Sequence, residues 1–446
     1  MPDITVPWDE NPLTISLPED WQLLRVASPP LRPAPEDWAD RLAASLAKPA
    51  AGPSLGQLLS GLQGGPIALI VEDDTRHSPL PEILPLILRE IRHAGVADDQ
   101  IELVFATGMH PPMTSEHVVA KVGPAAARLR WRCNPWQSPG AYVSLGRVGR
   151  VEALVDRGVL EADLRILVSS VTPHLQAGFG GGYKMLFPGC AALETIRELH
   201  RLGLGRRARQ LIGTEAARNP MRRAIDAAGA AVDAAHGKTF SVQFLLAAAD
   251  RPAAVASGEV VAAQTMLAKQ AAIACGIVTA QVADVVIANA YPRDLDLWQC
   301  FKSVVNTLWA ARPGGVVIGL ARCPAGLHGM NPPKRWPLSP AWTRRLVRLL
   351  HPDPLATLVT RLLPHLAGDA AFFIRLALQS LYRNHIFLVS PALCQAGVTF
   401  PGLPIFPTAA EAIAAAGAVL AEGPQRVCIF PAGGITYPVP SQLVQD

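Results

Sequence analysis

Short apolar runs alternate with stretches of helical period along most of this chain. Residues 67–72 are apolar up to Glu72, the pattern of a strand buried on both faces. A helical pattern over 81–94 and a second apolar run over 101–106 follow, and that order is a βαβ unit. The run at 164–171 is short, partly β-branched and bounded by turn residues, so it predicts a further buried strand, with another at 240–247. A second series comprises strand 285–289, helix 296–311, strands 316–321 and 386–389, helix 408–421 and strand 426–430. The expectation is an α/β protein of two domains with mainly parallel sheets. They span 1–260 and 261–446, and the helix over 257–275 connects them. Runs at 4–7 and 13–17 flank Asp9-Glu10-Asn11-Pro12 and predict a hairpin. Residues 192–236 read as largely helical with arginines on a solvated face, and 323–370 as a helical insertion.

Polar residues gather where such a fold puts function, beyond the carboxyl ends of strands. Asp73, Asp74 and Arg76 follow the first strand, His110 the second, and His174 the strand at 164–171. Read singly, these are a surface turn with a local ion pair and ordinary loop histidines. Read together, they face one sheet edge. Next comes the turn Gly178-Phe179-Gly180-Gly181-Gly182 with Lys184 after it. Glycine permits positive φ and close backbone approach, and successive N–H groups in such a turn can hold an anion. The spacing matches neither common phosphate motif, and the same turn also closes a plain strand-to-helix corner. In the helical pattern 191–200, Leu193, Ile196 and His200 share a face, so His200 points where the apolar side chains point. Trp298 and Lys302 are i, i+4, and Gln299 and Lys302 i, i+3, on the helix after strand 285–289.

Composition narrows the classes. The 446 residues are 50% hydrophobic and 17% charged, which suits globular domains with a large core. A net charge of +4 with no basic block argues against nucleic acid as a partner. Seven scattered cysteines without a C-x-x-C argue against a disulfide framework or structural zinc. The N-terminal residues lack the order of a signal peptide, and no apolar run is long enough to span a membrane, so a cytoplasmic location is expected.

The segment His174-x-x-Ala177-Gly178-Phe179-Gly180-Gly181-Gly182-x-Lys184-x-x-x-Pro188-Gly189 resembles the signature of the nickel-dependent lactate racemase family. Asp73-Asp74-Thr75-Arg76, the stretch Gly108-Met109-His110-Pro111-Pro112-Met113-Thr114, Tyr291-Pro292-Arg293-Asp294 and Trp298-Gln299-Cys300-Phe301-Lys302 resemble further motifs in family order. The resemblance implies a racemase or epimerase of 2-hydroxyacids. Its implied cofactor is a nickel-pincer nucleotide, pyridinium-3,5-bisthiocarboxylic acid mononucleotide nickel, covalent on Lys184 with nickel on His200. Cofactor-synthesis proteins are implied as partners. His110 and His174 would be paired acid/bases, Arg76, Gln299 and Lys302 would bind or orient the substrate beside Trp298, and Asp73 would lie near the cofactor ribose. Gly178, Gly180, Gly181 and Gly182 would cradle the cofactor phosphate. The active site would then occupy the cleft between the two domains. Pro111 stands where many members have arginine and Arg293 where leucine is common, and the family's tryptophan segment aligns loosely around Phe372-Phe373, which leaves the 2-hydroxyacid open. A sugar-acid 2-epimerase keeps the same chemistry. A nucleotide- or metallocofactor-binding protein without turnover would need Lys184 and His200 but not both His110 and His174.

Overall fold

The computed structural model describes residues 3–29, 33–62, 64–204, 210–247, 250–327, 339–362 and 369–440. The chain divides into two compact units, one of Leu31–Gly205 with Leu211–Ala274, the other of Met1–Pro30, Arg206–Gln210 and Cys275–Asp446.

The first unit is built on a six-stranded sheet in the order Pro252–Gly258, Lys238–Leu246, Leu164–Ser170, Ile67–Val71, Ile101–Phe105, Arg130–Cys133. All pairs are parallel except the first. Side chains alternate between faces along a strand, and the two cores show it. Ile67, Leu69 and Val71 pack with Ile83, Leu84, Ile87, Leu88 and Ile91 of helix Leu80–His93. Ala68 and Ile70 pack on the opposite face with Leu167, Phe187, Ile196 and Ile225. Both faces of the central strands are therefore covered, which is why 67–72 lacks a polar alternation. From Ile67–Val71 the chain moves to Ile101–Phe105 and Arg130–Cys133 on one side, then returns to Leu164–Ser170 on the other. The carboxyl ends of Ile67–Val71 and Leu164–Ser170 thus flank the topological switch point, where open α/β sheets leave a crevice.

The second unit has its own six-stranded sheet, Ile405–Phe406, His385–Val389, Ala311–Leu320, Ala283–Asn289, Arg426–Phe430 and Gln22–Val26, with every pair parallel. The predicted hairpin forms between Ile4–Val6 and Leu13–Ile15. The expected division at 260/261 differs from the observed one at both ends. Gln22–Val26 pairs with Arg426–Phe430, satisfying its backbone groups in the second sheet. Helix Val260–Cys275 stays with the first unit up to Ala274, where Val260 joins the core. The insertion is helical where described, as Pro340–Leu350, Pro352–Leu362 and Asp369–Arg383. Among the described residues of 192–236, Arg222 departs from the expected solvated arginine face, since it is buried.

Helix Pro220–Ala235 begins at Asn219, whose side chain accepts from Arg222 N at 2.9 Å, and it lies against the ring of Tyr183. A Cβ on Gly229 would stand well inside contact distance of that ring. Gly229→Ala is accordingly expected to destabilise the protein by about 1–3 kcal/mol. The check is a lower urea midpoint at unchanged m-value.

Candidate active site

At the switch point, Glu72 ties the two diverging strands together: its Oε1 accepts from Ser170 N at 3.0 Å and Ser170 Oγ at 2.7 Å. The next residue, Asp73, is buried at the head of a turn in which its Oδ1 accepts from Thr75 N (3.2 Å) and Thr75 Oγ1 (2.6 Å). Its other oxygen lies 2.6 Å from His110 Nδ1. Burial alone would raise the Asp73 carboxyl. Hydrogen bonds from His110 and Thr75, with the charges of His110 and Arg76, instead hold it well below the usual carboxylate range. Asp73, which the resemblance sets near a ribose, has protein partners in His110 and Thr75. An ionised carboxylate is an acceptor only, so in the neutral ring Nδ1 carries the proton and Nε2 presents a lone pair. The His110 loop is held by Trp136 Nε1 donating to His110 O at 3.1 Å and Asn134 Nδ2 donating to Gly108 O at 2.8 Å.

His174 is held in the opposite sense. Its strand Pro173–His174 folds back on Gly178–Phe179, and Nδ1 accepts from Gln176 N (3.2 Å) and Ala177 N (3.1 Å). In the neutral ring the proton therefore sits on Nε2. One imidazole offers an acceptor and the other a donor.

The glycine turn is buried, and the amides of Gly180 and Gly182 are engaged inside the protein. Gly180 N donates to Thr172 O at 2.7 Å and Gly182 N to Gln243 Oε1 at 2.9 Å. At these two positions the amides expected to face a phosphate have protein partners instead. What demands glycine is conformation and space: Gly178, Gly181 and Gly182 have φ of 76°, 71° and 64°. A Cβ on Gly178 would strike Thr214 O, and one on Gly181 the Gln243 amide.

Lys184 leaves this turn partly buried. Burial, then the positive charges of Arg76 and Arg222, push its ammonium down to about 7. His200, partly buried on helix Leu193–Leu204, is pushed down to about 4 by burial and by the charges of Lys184 and His110. The charge of Arg76 thus acts on Lys184 and Asp73, and those of Lys184 and His110 act on His200. His174 is tied to His200 through Gln176, whose N–H serves His174 while its Nε2 donates to His200 O at 3.1 Å. Sequence reasoning missed Gln176 and also Lys121, whose Nζ donates to Arg76 O at 2.6 Å and Ser78 Oγ at 2.8 Å. Neither carries a motif: Gln176 acts through its own N–H and on His200 O, and Lys121 on Arg76 O and the Ser78 hydroxyl.

Trp298, Gln299 and Lys302 belong to the second unit, on helix Leu297–Thr307, whose cap Asp296 accepts from Gln299 N at 2.7 Å. Lys302 Nζ donates to Gln299 Oε1 at 2.7 Å, and Trp298 stacks on Phe373 with centroids 5.5 Å apart.

Residues 8–211 match the family model of the lactate racemase N-terminal domain. Residues 8–211 thus carry a lactate racemase N-terminal domain. The chain is 26% identical over 352 residues to the lactate racemase of Thermoanaerobacterium thermosaccharolyticum, covering 75% of this chain and 78% of the relative. Identity to the lactate racemase of Lactiplantibacillus plantarum is 31% over 160 residues, 35% of this chain and 37% of that one. In structure the chain resembles the lactate racemase apoprotein from T. thermosaccharolyticum with a TM-score of 0.80 at 20% identity, covering 98% of this chain and 100% of that one. A crystal structure of a Thermotoga maritima protein gives 0.63 at 16% identity, covering 90% and 98%. These structural likenesses speak for the fold. Within the lactate racemase N-terminal domain lie Asp73, Arg76, His110, His174, the glycine turn, Lys184 and His200, while Trp298, Gln299 and Lys302 fall outside the matched residues.

An amine depressed to about 7 reacts in a pH range where exposed lysines do not. Acetylation of Lys184 by a trace reagent is expected to be half-maximal near pH 7, against about 10.4 for an ordinary lysine. Peptide mass spectrometry across a pH series measures it.

Proposed function

We propose that this chain belongs to the lactate racemase family and is an isomerase that inverts C2 of a lactate-like 2-hydroxyacid. The observation that supports it best is the pair of imidazoles with opposite proton placement, His110 held by Asp73 and His174 by the amides of Gln176 and Ala177. Inversion needs a group on each side of C2 able to take or return the hydroxyl proton. Histidine does this near neutrality because its ordinary pKa is about 6.5.

A C2 carbanion beside a carboxylate is poorly stabilised, so the C2–H bond is better broken as hydride, giving a planar ketone open to return on either face. The residues present fit the family's nickel-pincer nucleotide by the chemistry of their donors. Lys184, near neutral, suits covalent attachment, and His200, depressed to about 4, keeps its lone pair free for a metal. Among the described residues no group of three His, Cys, Asp or Glu could hold a metal, so the remaining donors would come from the cofactor. When bound, that cofactor would supply the acceptor for the C2 hydride.

The chain's own residues do the rest. His110 Nε2 takes the hydroxyl proton of one enantiomer as C2 is oxidised, and the Asp73 carboxylate stabilises the imidazolium that forms. His174 serves the opposite face. Its Nε2–H orients the substrate oxygen; once Nδ1 leaves the two amides and takes a proton from solvent, the imidazolium gives its Nε2 proton to the C2 alkoxide and returns to the neutral ring. Arg76 meets the substrate carboxylate, for which a guanidinium fork is suited, and Lys121 fixes its backbone. Among the described residues no helix is long and apolar enough to cross a membrane.

The test is co-expression with the family's cofactor-synthesis enzymes, followed by intact mass, nickel content and a chiral screen of 2-hydroxyacids. An adduct on Lys184 with racemisation of one acid is expected. His110→Ala and His174→Ala should each lose about 10²–10⁴ in kcat while keeping the adduct, and wild-type rates in both would sink the two-base assignment. Asp73→Asn leaves His110 without an anionic partner, and kcat/KM is expected to fall about 100-fold or more at unchanged adduct mass.

A further inference from the structure

Helix Pro220–Ala235 supplies no group to the chemistry above, yet one of its side chains reaches under the Lys184 turn. Arg222 is 1% exposed and among the largest fully buried side chains. The two terminal nitrogens of its guanidinium donate to one stretch of backbone. Nη2 donates to Phe179 O and, at 3.3 Å, to Gly180 O, and Nη1 donates to Gly181 O at 3.2 Å. Its counter-charge is Asp226, one helical turn on, 3.5 Å from Nη1.

The helix that carries Arg222 is itself anchored beside the site. Asn219 Nδ2 donates to Gln176 O and Thr214 Oγ1, each at 2.9 Å. Gln176 is the residue that holds His174 and His200, so the helix start and both histidines share one frame. Three successive carbonyls can converge on a planar cation only if the backbone curls around it. The positive φ of Gly181 and Gly182 supply that curl, and Lys184 follows directly, its N–H on Gly181 O at 3.3 Å. A lysine at 222 could not replace the fork, because an ammonium is a point charge without fixed donor directions.

We propose that Arg222 is the positioning residue for Lys184: its guanidinium sets the path of residues 179–182 and thereby where the Lys184 amine stands. The proposal rests on Lys184 being the attachment point, but its test does not require the cofactor. The full-length chain without cofactor is acetylated with trace acetic anhydride. Lys184 is read against the exposed Lys238 and Lys269, and hydrogen exchange is followed through 177–186.

Arg222→Met removes the fork, and Arg222→Lys keeps a charge without it. Exchange through 177–186 is expected to quicken about tenfold in both, the scale of one lost bond to a charged donor. Relative acetylation of Lys184 should change about tenfold in the Met variant and by less in the Lys variant, with Lys238 and Lys269 unmoved. Cooperative unfolding of both variants with neither readout changed would overturn the proposal. Should the Met variant fail to fold, the Lys variant decides alone, and wild-type exchange and acetylation in it overturn the assignment. If these shifts appear while co-expression leaves Lys184 unmodified, Arg222 keeps its role and the attachment reading falls.

Discussion

Everything in the first unit depends on two buried parallel strands whose chain connections leave in opposite directions. Ile67–Val71 and Leu164–Ser170 are paired along their length, yet the segments beyond them diverge. Divergence opens a crevice and leaves backbone groups at its floor in need of partners. Glu72 answers that need by accepting from the N–H and hydroxyl of Ser170. The loops bearing Asp73 and His174 therefore start from a fixed pair of points, and what they present is held to the precision of the sheet.

The second governing feature is electrostatic. Arg76, Lys121 and Lys184 are gathered about Glu72 and Asp73, and Arg222 adds its charge to that felt by Lys184, in surroundings that solvate charge poorly. An excess of cations in such a place drives the most easily deprotonated of them towards neutrality, and Lys184 yields because a guanidinium does not. His200 follows for the same reason. A crevice of this kind favours anions, which suits both a 2-hydroxyacid carboxylate and a nucleotide phosphate. It also leaves one amine and one imidazole readily deprotonated, as the proposed function requires of Lys184 and His200.

The glycine turn shows how one sequence pattern admits two physical explanations. Gly178-Phe179-Gly180-Gly181-Gly182 reads as an anion cradle because its N–H groups are consecutive. In the fold the amides of Gly180 and Gly182 turn inward and the carbonyls of 179–181 face Arg222. Glycine serves there to admit positive φ and the close approach of Thr214 and Gln243. The turn is a mount for Lys184.

Sequence alone determined the α/β class, because buried parallel strands and amphipathic helices have periods that can be read without coordinates. It also determined which strand ends carry Asp73, His110 and His174, since a residue's place after an apolar run is a local property. Family motifs added Lys184 and His200, on the strength of their order along the chain. Only the tertiary structure decided what depends on distant partners. The pairing of Gln22–Val26 with Arg426–Phe430 joins residues some 400 positions apart, which no local pattern encodes. The Asp73–His110 bond, the opposite proton placement on His174 and the burial of Arg222 likewise arise from contacts across loops and helices. In sequence Arg222 is one arginine among several on an alanine-rich helix. It becomes distinct only when the fold sets the carbonyls of residues 179–181 around it.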